Sequence, residues 1–164
     1  MSDEESIESA LRAADVLMHV AAQSVMEVDH IVTSPQLRVL VFIATRGPQN
    51  PGDVAVELGV HASNATRTSE KLVRLGLIER REDPSDRRYV RLSLTHEGER
   101  LVQRVIAHRR NAVAEVLAAM PPEEREAASR AFAAFAGAAG VAPFEDGRFT
   151  LVQPGAAGLS APSA

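Results

Sequence analysis

Apolar residues recur through residues 3–32 at Ile7, Leu11, Ala14, Met18, Ala21, Val25, Val28 and Val32, in alternating steps of four and three. That heptad spacing predicts one long amphipathic helix whose seam needs another helix to cover it. The cover can come from the same subunit or from a second copy, and the spacing leaves both open. Ser34 as cap and Pro35 in the first turn predict a second helix, carrying Leu37, Leu40, Val41 and Ala44 inward and stopping at Gly47-Pro48. Further on, Thr95 predicts the cap of a helix that runs to about Met120, with Glu97 and Glu99 in a first turn whose positive end suits acids. Its apolar positions form two lines, Leu101, Val105 and Ala112 beside Val102, Ile106, Val113, Val116 and Met120, so it should contact two things at once. Pro121-Pro122 ends it, and residues 123–139 form a last amphipathic helix bearing Ala127, Ala131, Phe132 and Phe135. From Gly140 the chain turns Gly-, Ala-, Pro- and Ser-rich, with residues 149–153 as its one strand-like island.

The stretch between these helical ends has a different texture. Asp53 to Leu58 predicts a short helix ended by Gly59, and Ala62 to Leu75 a second one ended by Gly76. Two helices around so short a turn make a helix-turn-helix, whose second helix can enter a DNA major groove. Ala65, Leu72 and Leu75 should face the core, leaving Ser63, Asn64, Thr66, Arg67, Lys71 and Arg74 outward. Short polar groups near the helix start can reach base edges or phosphates; Arg67 can make a paired contact to guanine, and Lys71 and Arg74 can neutralise phosphates. The plainer reading is a solvated basic helix face. Residues 77–81 and 89–94 then have strand content around the turn-forming residues 82–86, which predicts a hairpin. The long helix after it, at about 1.5 Å per residue, would span roughly 38 Å, close to the ~34 Å between two half-sites on one DNA face.

Charge favours the DNA reading. Residues 67–91 hold eight Lys or Arg against five Asp or Glu, whereas the rest of the chain holds ten against seventeen. The formal net charge of −4 therefore hides a local positive excess, and the local field is what attracts phosphates.

The run from Asp53 through Val60, then Asn64-Ala-Thr-Arg67, Leu72, Gly76-Leu-Ile-Glu-Arg80, Asp83-Pro-Ser-Asp86-Arg87-Arg88 and Leu94-Thr95-x-x-Gly98, resembles the MarR family of bacterial winged-helix transcription regulators. Residues 33–40 are similar to that family's entry into its second helix, and the resemblance covers about residues 32–101. It implies a mainly α fold with a small β-wing: a winged helix-turn-helix at 34–95, dimerisation helices at 1–33 and 96–139, and a tail at 140–164. It further implies a homodimer on a pseudo-palindromic double-stranded DNA operator, acting as a repressor that a small, phenolic or other aromatic effector releases. Arg87 matches the family's minor-groove wing arginine, and Asp86 and Arg88 match the charged residues that brace the tip. The chain departs from the family where the reading helix begins, with His61-Ala62 in place of Ser-Pro. The effector crevice implied by the family would be lined by His19, Gln23 and Met26 from the first helix, Gln36 and Leu40 from the second, and His108 from the long helix. A winged-helix module that binds protein instead of DNA is the alternative.

Composition removes other classes. At 164 residues and 45% apolar content the chain suits one domain, and its 4% aromatics favour helices over a sandwich or barrel. No apolar run is long enough to span a membrane, and the acidic opening is unlike a signal peptide, so the cytoplasm is the expected compartment. The absence of cysteine removes disulfides and thiolate nucleophiles. There is no nucleophile elbow, phosphate-binding glycine loop or His-Glu-x-x-His, so no enzyme and no cofactor are expected. Glu27, His30 and His108 could approach one another as a metal site, but histidines at helix contacts are the plainer account, and no metal is expected.

Overall fold

Residues 2–82 and 89–140 are described in a computed structural model, and they form six helices and one hairpin. The helices are α1 (Asp3–Met26), α2 (Ser34–Arg46), α3 (Pro51–Leu58), α4 (Ala62–Arg74), α5 (His96–Ala118) and α6 (Pro122–Ala138). The strands β1 (Ile78–Glu82) and β2 (Val90–Leu94) pair antiparallel, with Ile78 opposite Leu94 and Arg80 opposite Leu92. This is the mainly helical fold with a small wing that the sequence predicts. Among the described residues no helix is long and apolar enough to cross a membrane.

One core holds the winged lobe together. It gathers Val28 and Val32, Leu37, Val39, Leu40, Val41 and Ile43 of α2, Val54 of α3, Ala65 and Leu72 of α4, Leu77, Ile78 and Leu92, and Leu101, Val102, Val105 and Ile106 of α5. Helix α2 is buried over a wider arc than the predicted stripe because it is central, with neighbours in α3, α4, β2 and α5. Its N-cap is Thr33, one residue before the expected Ser34, and Gln36 Oε1 accepts from the Thr33 amide at 2.8 Å.

Helix α1 stops at Met26, short of the predicted end near residue 32. Turn bonds from Val28 N–H to Val25 O (3.1 Å) and from Ile31 N–H to Val28 O (2.9 Å) replace the helix there. Val28 (0% exposed) and Val32 (3%) are thereby delivered into the winged-lobe core, where their burial outweighs another turn of helix. The upper part of the heptad seam is left open: Ile7, Leu11 and Met18 are all more than half exposed.

The helix-turn-helix follows its glycines. Gly76 has φ +68°, and the Leu77 amide reaches back to Leu72 O at 3.0 Å while Gly76 N–H bonds to Val73 O at 2.9 Å, so α4 ends in a left-handed turn. Leu75 was expected in the core but is 49% exposed. It is the last residue before that turn and lies off the Ala65–Leu72 line; Leu77, beyond the turn, fills the core place instead.

At the foot of the wing three elements meet. Leu77 O accepts the Thr95 amide at 3.1 Å, and Thr95 Oγ1 donates to Gly76 O at 2.5 Å while accepting from the Gly98 amide at 3.2 Å. A side chain at position 98 has no room, because its Cβ would lie 2.0 Å from Leu77 O. Gln49 also bridges to Leu92 in both directions (3.0 and 2.7 Å), giving β2 a second neighbour that no sequence pattern announced.

Beyond α5, the Arg125 guanidinium donates to Leu117 O (2.8 Å), Met120 O (3.2 Å) and Ala118 O (3.5 Å). Leu117 O also accepts the Met120 amide at 3.2 Å, and the one arginine adds a side-chain cap to the end of α5 that ties it to α6.

Because the obstruction at Gly98 is backbone, Gly98→Ala should destabilise the fold by about 3 kcal/mol, read as a drop in the urea midpoint at constant slope. A midpoint within error of the parent would show that the junction has slack.

Candidate nucleic-acid interface

Helix α4 separates its two faces cleanly. Ala65 (0% exposed), Ser69 (3%) and Leu72 (0%) point into the lobe, and Ser69 Oγ satisfies itself on Ala65 O at 2.9 Å. On the opposite side Ser63, Asn64, Arg67, Lys71 and Arg74 are all exposed. At about 100° per residue those five fall within an arc of roughly 100°, the width of a face that a groove can receive. Thr66 is half-buried on the flank of that arc. Lys71 and Arg74 occupy the last turn, where the helix's own negative end favours cations.

The start of α4 lacks a side-chain cap. His61 holds the extended cap conformation, and its carbonyl accepts the Asn64 and Ala65 amides at 2.9 and 3.2 Å, but its side chain returns no bond. Ser2, Asn50 and Thr95 each accept an amide at the starts of α1, α3 and α5. Neighbouring α3 is held to α2 by Arg38, whose Nη2 donates to Glu57 O at 2.6 Å with Glu57 Oε1 at 3.6 Å. Helix α3 is thus tied to α2 near its C-terminal end through the Glu57 carbonyl.

The wing stem adds cations beyond those of α4. Arg80, Arg81 and Arg91 are exposed, with Arg81 and Arg91 directly opposite one another across the strands. Like charges in such a pair repel, and Glu79, 2.7 Å from Arg81, offsets part of that. Arg91 also donates to Pro48 O at 3.4 Å. Alternation along the strands was the available signal, since Ile78 and Leu92 on the buried face leave residues 79, 81, 91 and 93 on the other. Asp86, Arg87 and Arg88, the expected wing tip, lie outside the described residues.

Within one subunit the residues expected for an effector crevice are not brought together. His19, Gln23 and Met26 are exposed on α1, Leu40 is sealed in the core, and Gln36 is occupied by its cap. His108 Nδ1 lies 3.5 Å from Glu27 Oε1. His30 instead neighbours Asp29 at 3.9 Å, and among the described residues no three His, Cys, Asp or Glu side chains form a metal-holding group. Next to His108, Arg109 donates to the fully buried Ser24 Oγ at 3.0 and 3.3 Å, and burial lowers its pKa from the ordinary arginine value.

The family model for MarR matches residues 32–90. The fold is similar to the crystal structure of RV1404 from Mycobacterium tuberculosis, at 36% identity over 85% of this chain and 96% of that one, with a TM-score of 0.74. It is similar also to YusO from Bacillus subtilis, at 29% identity over 85% of this chain and all of that one, with a TM-score of 0.67. In sequence it is 33% identical over 108 residues, 66% of this chain and 70% of the relative, to the HTH-type transcriptional repressor MdtR of Bacillus subtilis.

Supplying the missing cap should stabilise the free protein. His61→Ser is expected to add about 0.5–1 kcal/mol, seen as a higher denaturation midpoint. An unchanged or lower midpoint would mean that the His61 side chain already does something equivalent.

Proposed function

The chain belongs to the MarR family of DNA-binding transcription regulators, and on that premise we propose that it is a homodimeric repressor that reads a pseudo-palindromic operator through α4 and the wing. The observation that carries this reading is the division of α4, with Ala65, Ser69 and Leu72 sealed inward and Ser63, Asn64, Arg67, Lys71 and Arg74 together outward. A helix merely solvated by charge has no need of short hydroxyl and amide groups at its start and cations along its length. In this proposal Ser63, Asn64 and Thr66 approach base edges or phosphates, Arg67 reads guanine, and Lys71 and Arg74 neutralise backbone charge. Arg87 enters the adjacent minor groove, with Asp86 and Arg88 bracing it. Repression in particular is supported by likeness to MdtR, which is named a repressor.

Two features support the dimer. Apolar surface remains open on the helices outside the winged lobe: Leu11 is 55% exposed, Met18 61%, Phe132 45% and Phe135 69%. Exposed apolar side chains of that size, concentrated on the helices outside the lobe, support an interaction surface there. In addition α5, with 23 residues, spans about 34 Å, matching the roughly 34–36 Å between half-sites on one side of a duplex. A small aromatic effector would release DNA by binding one spacing of the two reading heads better than the other. The crevice for it, bounded by His19, Gln23, Met26, Gln36, Leu40 and His108, would need the second subunit to close it.

On an operator selected from random DNA, Arg67→Ala and Arg87→Ala should each cost about 1–3 kcal/mol, and affinity should fall steeply with salt. Lys71→Ala should instead weaken all sequences alike and flatten the salt slope. An isotherm indifferent to salt and to all three changes would remove the DNA reading. Separately, Leu11→Glu should shift the protein from dimer to monomer in sedimentation velocity while leaving its helix content intact; a parent that sediments as a monomer would remove the dimer.

A further inference from the structure

We propose that Lys71 is an N-acylation site, modified by a phosphate-bearing acyl thioester, and that the modification weakens the DNA contact of α4. The chain has 18 Lys and Arg residues, of which Lys71 is the one lysine and the other 17 are arginine. A guanidinium keeps its charge and is a poor acyl acceptor, whereas a neutral ε-amine is a good nucleophile. Of all these side-chain cations, only Lys71 can be switched off by acyl transfer.

The fold places that amine where an acyl donor can reach it and where its charge matters. Lys71 is exposed in the last turn of α4, inside the outward arc that also holds Arg67 and Arg74. The positions three and four residues away along the helix are Arg67, Thr68, Arg74 and Leu75, so no carboxylate lies where it would pair with the ammonium. Neither Lys71 nor the adjacent Glu70 has an ion-pair partner among the described residues. The guanidinium groups of Arg67 and Arg74 attract the phosphates of an anionic donor. Leu75, 49% exposed one turn on, gives a short acyl chain an apolar surface to lie on. In the transfer the neutral Nζ attacks the thioester carbonyl carbon. The N–C amide bond forms as the C–S bond breaks, and the sulfur leaves with the electron pair and takes up the proton that the nitrogen releases. The amide that remains is uncharged, so α4 loses a phosphate-neutralising group and a favourable charge at its C-terminal end.

The effect on DNA rests on the proposed role of α4, while the transfer itself needs no DNA, so the two can fail separately. The full chain is incubated with acetyl coenzyme A or with a neutral truncated thioester, S-acetyl-N-acetylcysteamine, and the products are mapped by peptide mass spectrometry. Acetyl should appear at Lys71 with both donors, and Arg74→Ala should slow the coenzyme reaction about threefold more than the neutral one. The acetylated protein should bind the selected operator about fivefold more weakly, with a salt slope shallower by about one. Lys71→Arg should take up no acetyl at that position, and its operator affinity should be the same before and after treatment. Full modification of Lys71 with no change in affinity, on an operator that Arg67→Ala weakens, would overturn the proposal. So would a Lys71 that stays unmodified, or an Arg74→Ala effect equal for the two donors. A parent that binds no operator would instead remove the DNA reading, and the mapping and the Arg74 comparison would still decide the acylation.

Discussion

The carbonyl of Leu77 is the point on which the geometry of this protein depends. It follows the glycine turn that ends α4, begins the chain's entry into the wing, accepts the Thr95 amide, and has the Cα of Gly98 packed against it. Thr95 bonds the carbonyl one residue earlier and caps α5 with the same hydroxyl. The end of α4, the foot of the wing and the start of α5 are therefore joined within a few hydrogen-bond lengths. The backbone groups involved are satisfied by one another instead of by water, so prising the three elements apart would strand them. Any reorientation of α5 is passed to α4 and the wing together.

That rigidity gives meaning to the charge distribution. An overall negative chain carries a locally positive surface, because α4 and the wing stem bring Arg67, Lys71, Arg74, Arg80, Arg81 and Arg91 outward while the core behind them is aliphatic, and in the proposed reading that is the part that meets DNA. Some of these placements cost stability. Arg81 opposes Arg91 across the strands, and α4 begins without a side-chain cap. Local choices that work against the free fold are expected where a surface is shaped for a partner. The open apolar faces of α1 and α6 follow the same logic.

Much of this was readable from residues whose demands are local. Gly59 and Gly76 mark helix ends because left-handed backbone suits few other residues, and Thr95 with Glu97 and Glu99 marks a helix start by backbone chemistry alone. Gly98 belonged to a recognisable motif, but its reason, the approach of Leu77 O, is tertiary. Where burial competes with periodicity, burial wins: Val28 and Val32 continue the heptad pattern yet leave the helix for the lobe core, and Leu75 sits just past the last helical turn. The Gln49–Leu92 bridge and the Arg125 cap were invisible, since each joins residues whose side chains or backbone carry no distinctive local signature. The residues expected for an effector crevice are not brought together within one subunit, and no periodicity encodes that.

The most direct test of the rigid junction is native-state amide exchange at Leu77, Leu92 and Thr95. Their amides bond to Leu72 O, Gln49 O and Leu77 O, so they should exchange only through global unfolding, with the same free energy as the Leu40 amide in the lobe core. If Thr95 and Leu77 open locally while Leu40 stays protected, the wing and α5 move independently and the account fails.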